Sequence, residues 1–240
     1  MLKRIILLAI LGVILVLGIG AGSMYWAVTS TQPYYELALE QPVEVLEESS
    51  RQLENRFTTL TSDVQAEGEW QTVISAQEVN GWLAFKLPES FPNLLPQEVQ
   101  DPRVTITADD LILAARAHKS GMDVVISVYL EPFVTEEGDL AVEIKQVLAG
   151  SLPWPTKELV DQLGRESNRV GLPVRWTQSD GNTVMIVEHG LWDTEDAQQR
   201  VLEAIELADG EMFLSGRTIA SPAETVTESR KPTAKTDLFE

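Results

Sequence analysis

His118 and His189 are the only imidazoles in the chain, and cysteine is absent. The two histidines fall in different predicted hairpins and in no metal spacing such as H-E-x-x-H, so both read as surface or edge residues. No Gly-x-Ser-x-Gly elbow and no phosphate-cradling glycine loop occurs, which removes the strongest local motifs for acyl and phosphoryl transfer. "EEGD" (136–139) and "SDGN" (179–182) lack the repeated carboxylates of a calcium loop and read as hairpin turns. Without cysteine there are no disulfides, thiolate nucleophiles or thiolate metal sites. The expectation is a protein that is not an enzyme and carries no metal or cofactor; a hydrolase with an unconventional site is the class this weighs against.

The elements that would position any site follow from pattern. Ser75 with Glu78 three residues on is a capping box, opening a helix through "VNGWLAFKL" whose apolar face is Val79, Trp82, Leu83 and Leu87. "FPNLLP" ends it, because proline lacks an amide hydrogen and biases its predecessor away from helix. Asn80 is the polar residue on that helix to single out: it either hydrogen-bonds locally at the end of a strand or fixes a ligand headgroup. Further on, β-branched runs and the turns "ADD" and "EEGD" predict antiparallel hairpins. Met122, Val124, Ile126, Val128 and Leu130 alternate with Asp123, Val125, Ser127 and Tyr129, predicting one buried face, and Leu140, Val142 and Ile144 repeat the pattern on the returning strand. "SLPWPTKELVDQL" (151–163) predicts a corner and then a second helix with Leu159, Val160 and Leu163 as its apolar face. "VRWTQSDGNTVMIV" predicts another hairpin. Ala197, Val201 and Ile205 suggest a short helical start before a final strand pair at "ADGE".

The N-terminus supplies the compartment. Lys3 and Arg4 precede a nearly continuous apolar run from Ile5 to Val28, about 24 residues against the roughly 20 that cross the hydrocarbon core. The basic pair stays in the cytoplasm, and Tyr25, Trp26, Tyr34 and Tyr35 fall where an outer aromatic belt would sit. A cleaved signal peptide is the alternative, since Gly20 to Ser23 are small, but its apolar run is usually shorter. Beyond it, Val43, Leu46, Leu53, Phe57 and Leu60 give a helix with one apolar stripe, interrupted by Ser50, better suited to packing on its own domain than to a dimer stalk. The expected division is therefore a transmembrane signal anchor over 1–30, a juxtamembrane amphipathic helix over 31–66, an extracytoplasmic α+β domain over 67–219 and a disordered tail over 220–240. The chain would be a single-pass protein of the cell membrane, its N-terminus cytoplasmic. With 37 acidic and 18 basic residues the net charge is -19, which disfavours nucleic acid as a partner.

In the order single span, "ISAQEVNGWLAFKL", "DPRVTITADDLILAAR", "VYLEPFVTEEGDLAVEIKQVLAGSLPWPTKELVDQL", "GLPVRW" and "IELADGEMFLSG", the chain resembles the YpmS-like family of membrane-anchored bacterial proteins, themselves similar to the tubular lipid-binding (TULIP) superfamily. Its most specific pieces are Asn80, the hairpin residues Pro132, Phe133, Val134 and Gly138, and the corner Gly150, Leu152, Pro153 and Pro155. Trp154 is a departure, at the variable position between the prolines. The resemblance implies a curved antiparallel sheet wrapped around one or two helices, with an apolar groove for a lipid or acyl chain.

The groove residues expected on this basis are Asn80, Trp82, Leu83, Leu87, Val104, Ile106, Leu111, Leu113, Val124, Ile126, Val128, Leu140, Val142, Ile144, Trp154, Leu159 and Leu163. Two one-striped helices offer little cover for several hairpins, which favours an open apolar pocket. The same side chains could equally close as a filled core. Two functions stay open: a membrane-anchored module binding an apolar ligand, or an interaction protein docking an envelope enzyme or assembly.

Overall fold

Hairpin turns organise the molecule. In the computed structural model, which describes residues 23, 26–119, 121–157, 160–161, 163–165, 174–179, 181–187 and 198–220, antiparallel strands follow one another at the expected turns. The Thr107 amide donates to the Asp110 carbonyl at 2.9 Å to close the "ADD" turn, and the Thr135 amide donates to the Asp139 carbonyl at 2.9 Å to close "EEGD". Strands β2 (Val99–Ile106), β3 (Leu111–Lys119), β4 (Met122–Val134), β5 (Leu140–Ala149), β6 (Leu152–Pro153), β7 (Val174–Ser179) and β8 (Asn182–Val187) form a seven-stranded antiparallel sheet, in the order β2-β3-β4-β5-β8-β7 with the short β6 beside β5. Strand β1 (Gly68–Ser75) pairs instead with β10 (Glu211–Ala220), which pairs with β9 (Gln198–Ala208). The helices described in full are α1 (Pro33–Leu39), α2 (Val43–Gln65) and α3 (Ala76–Ser90). The fold is α+β, with a large antiparallel sheet, a small one and a few helices.

The large sheet is covered on both faces, which corrects the expected single buried face of β4. Val124 and Val128 are buried, but so are Val125 and Ser127 on the opposite face, while Met122 is exposed. The cause is α1. Tyr35, fully buried, packs with Ala114 and Val125, joined by Tyr34 and Leu39. Its hydroxyl donates to the Asp101 carbonyl at 2.8 Å, and that of Tyr34 donates to Ser127 Oγ at 2.9 Å. Tyr34 and Tyr35 are therefore packed on the sheet and are not part of an aromatic belt, whereas Trp26 is 74% exposed. A buried phenol needs a hydrogen-bond partner, and these two find theirs in the sheet.

The corner "GSLPWP" receives the chain that leads into α1. Gly150, at φ 57, lies so close to the Ala27 and Val28 carbonyls that a Cβ would strike them. The Ser151 amide donates to the Ala27 carbonyl at 2.8 Å, and Gln32 Nε2 donates to the Gly150 carbonyl at 3.2 Å. Glycine fits here because it alone combines a left-handed backbone with no side chain at a backbone contact. After the prolines, residues 156–157, 160–161 and 163–165 are helical as expected. Much of the apolar run Ile5–Val28, Leu159, His189 and the tail beyond Ala220 lie outside the described residues. Among the described residues no helix is long and apolar enough to cross a membrane.

Two further expectations change. The buried face of α2 is Leu46, Ser49, Ser50 and Leu53, while Val43 and Phe57 are exposed. Small residues lie inside because α3 crosses at Gly81, where a Cβ would meet the backbone of Leu46, Ser49 and Ser50. The segment around Val201 and Ile205 is strand β9, paired with β10 along its length, and not a helical start. A spacing of four fits a helix turn, but it is also an even number and so fits one face of a strand.

The helix crossing sets a test. Gly81→Ala gains roughly 1 kcal/mol of helix propensity, yet it forces α2 and α3 apart, so stability should fall by about 1–3 kcal/mol net. A denaturation midpoint equal to or above that of the wild type would contradict the close crossing.

Candidate functional site

The site is built from the start of α3. Ser75 Oγ accepts from the Glu78 amide at 3.2 Å, and Glu78 Oε2 accepts in return from the Ser75 amide at 2.9 Å, completing the box that the sequence predicts. Glu78 Oε1 also accepts from Arg56 of α2, at 3.0 Å from Nε and 2.7 Å from Nη2. Burial pushes the Glu78 carboxyl up, but the donors from Arg56 and Ser75 outweigh it and hold the group below its ordinary value of 4.5. One carboxylate thus fixes both the beginning of α3 and its position on α2. A hollow of about 560 Å³ lies beside this pair, lined by Gln52, Asn55, Arg56, Asp63, Gln71 and Glu78 among others. Leu60, Val73 and Phe213 also line it, so its walls are mixed.

One turn on, Asn80 ties α3 to the large sheet. Its Nδ2 donates to the Val104 carbonyl at 2.9 Å, and its Oδ1 accepts from the Val104 amide at 2.6 Å. β2 is the edge strand of its sheet, so these are the backbone groups that a further strand would have used. The carboxamide supplies the same donor and acceptor in one side chain and blunts the edge. Asn80 is 2% exposed. Of the two roles open to Asn80, this contact is the local hydrogen bond at a strand.

The C-terminal half of α3, the loop after it and the first residues of β2 line a half-open cleft of about 480 Å³. Leu83, Leu87, Phe91, Leu95 and Val99 give it apolar walls, and Arg103 lines it as well. A bulge between Gln100 and Arg103 shapes the strand here, with Asp101 at φ 50. Asp101 tolerates that backbone because its short polar side chain suits the left-handed region. Its carboxylate pairs with Arg116 at 3.4 Å.

The expected groove residues divide between this cleft and another place. Leu83 and Leu87 line the cleft, and Trp82 stands beside it with its ring 6.1 Å from that of Phe91. Val104 and Ile106 are buried on β2 and pair with Leu113 and Leu111 on β3, where Leu113 is 39% exposed. Val124, Ile126 and Val128 on β4 and Leu140, Val142 and Ile144 on β5 belong to the interior strands of the sheet. Trp154 packs over Val128, Ile144 and Val147, together with Val160 and Trp176. It is a half-buried core residue of the corner, and it does not line the cleft. Leu163 is exposed, and Leu159 lies outside the described residues. Phe91 and Leu95 are missed because "FPNLLP" (91–96) reads only as a helix stop, and Arg103 because a lone cation in a strand normally marks the solvent side. His118, exposed, pairs with Asp123 at 2.8 Å. Among the described residues no group of three or more His, Cys, Asp and Glu could hold a metal ion.

Asn80→Leu leaves the Val104 amide and carbonyl without partners, at about 1–3 kcal/mol for each buried polar group. Stability should fall by about 2–4 kcal/mol, and exchange of the Val104 amide hydrogen should accelerate. A Val104 amide that exchanges no faster in the variant would show that the carboxamide does not hold the edge.

No family model matches the chain, and neither a curated protein nor a solved structure matches it.

Proposed function

We propose that this chain is a membrane-anchored extracytoplasmic module that holds a lipid or other acyl-chain ligand in the cleft between α3 and β2. The observation that carries the reading is the cleft itself, apolar along Leu83, Leu87, Phe91, Leu95 and Val99 and about 480 Å³ in volume, within the range of small-molecule sites. Each methylene buried there contributes about 0.8 kcal/mol. Support for the anchor comes from Lys3, Arg4 and the apolar run Ile5–Val28. The dock of Ala27 and Gln32 on the Gly150–Ser151 corner leaves little free linker between that run and the domain. The domain then stands directly at the outer membrane face, where an acyl chain is within reach. In this reading the chain acts by binding and not by catalysis.

A second reading has one observation in its favour. Phe91 and Leu94 are exposed at the rim, at 51% and 47%, as an interaction protein docking an envelope enzyme or assembly would have them. One experiment separates the two. The full chain, purified in a non-ionic detergent, is extracted and the extract analysed by mass spectrometry, for wild type and Leu83→Trp. The lipid reading expects a co-purifying acyl compound near one per chain. It also expects at least about tenfold weaker retention in the variant, since the indole displaces two or more methylenes. Wild-type protein free of such a compound that also fails to bind added acyl probes would favour the docking reading.

A further inference from the structure

Arg103 is 8% exposed, and no carboxylate pairs with it among the described residues. One guanidinium nitrogen, Nη1, donates to the adjacent Pro102 carbonyl at 2.8 Å, while the buried Nε has no partner. Asp101 also lines the cleft, but its carboxylate is paired with Arg116 at 3.4 Å, which leaves the Arg103 guanidinium without a carboxylate of its own. A buried guanidinium is costly to desolvate unless an anion meets it. In a chain of net charge -19, the general field does not draw anions in, and an anion must be held by specific donors.

We propose that Arg103 is the headgroup anchor of this cleft, making it selective for single-chain amphiphiles with an anionic head, a carboxylate or a phosphate. The proposal rests on the acyl-chain reading above and adds the chemistry of the head. A guanidinium presents its N–H groups as a planar fork that matches either anion. With one N–H on Pro102 and Nε unused, the fork is not saturated by the protein. Apolar walls from Leu83, Leu87, Phe91, Leu95 and Val99 lie in the same cleft, so head and chain are served by one enclosure. The bulge between Gln100 and Arg103 fits this role, because an extra residue re-aims the side chains of the strand that carries it.

Native mass spectrometry of the full chain in non-ionic micelles tests the proposal with three probes of one chain length: hexadecanoate, hexadecyl phosphate and hexadecan-1-ol. The wild type should bind at least one anionic probe about tenfold or more tightly than the alcohol, as expected of a charge-assisted hydrogen bond. The tighter of the two anions tells whether the natural head is a fatty-acid carboxylate or a lipid phosphate. Arg103→Met should lose the preference without a lower melting temperature, since a methionine of similar bulk relieves an unpaired buried charge. Arg103→Lys should keep part of it, as a point charge without the fork. Equal binding of alcohol and anions in the wild type would overturn the headgroup assignment and leave the acyl-chain reading standing. No binding of any probe would overturn both. Unfolding of Arg103→Met would make the guanidinium a packing element and overturn the assignment.

Discussion

The two hydrogen bonds between the Asn80 carboxamide and the Val104 backbone, with that from the Gly210 amide to the Ile106 carbonyl at 2.9 Å, join the two halves of this molecule. On one side is the helical pair, tied by Gly81 and the Arg56–Glu78 contact to α2 and, through Ser75, to the small sheet. On the other is the edge strand of the large sheet. An edge strand carries a row of unpaired amides and carbonyls that invites further pairing. One buried carboxamide satisfies a donor and an acceptor at once, and so converts that liability into a fixed distance between helix and strand.

That distance makes the cleft. Asn80 holds α3 against β2 at Val104, and beyond that contact Leu87 of the helix, Val99 of the strand and Phe91 and Leu95 of the loop between them line the cleft. The capping box determines where α3 starts, and hence which residues reach the strand one and two turns later. A register change of a single residue would rotate Asn80 off the edge by about 100°, since a helix turns once in 3.6 residues. Small residues at Ser49, Ser50 and Gly81 serve the same end, allowing α2 to press α3 toward the sheet.

Much of this was legible in the sequence where local chemistry decides. The capping box at Ser75, the hairpin turns at "ADD" and "EEGD" and the helical start after Pro155 follow from side chains acting on their own backbone. The pairing of β1 with β10 was not legible, since it joins strands more than a hundred residues apart. Nor was the cover that α1 gives to Val125 and Ser127: Tyr34 and Tyr35 have the composition of a membrane belt, and only tertiary contact places them on the sheet. Within the candidate site, Leu83 and Leu87 were found from helical periodicity. Arg103 was missed because a single cation in a strand normally marks the solvent side. Trp154 stands among the expected groove residues, but the cluster of Val128, Ile144 and Val147 beneath it makes the indole part of the corner that receives the N-terminal segment.

An acidic domain, an N-terminal segment docked at Gly150 and an apolar cleft bearing one unpaired guanidinium fit the proposed module, one that stands at a membrane and holds an acyl chain. The central claim is the location of that chain. The most direct measurement is photocrosslinking of the full chain in membranes with a diazirine-bearing fatty acid, followed by mapping of the labelled peptides. The expected result is adducts concentrated within residues 83–103 and suppressed by excess unlabelled hexadecanoate. Adducts confined to the N-terminal apolar run, or spread without competition over the surface of the sheet, would contradict it.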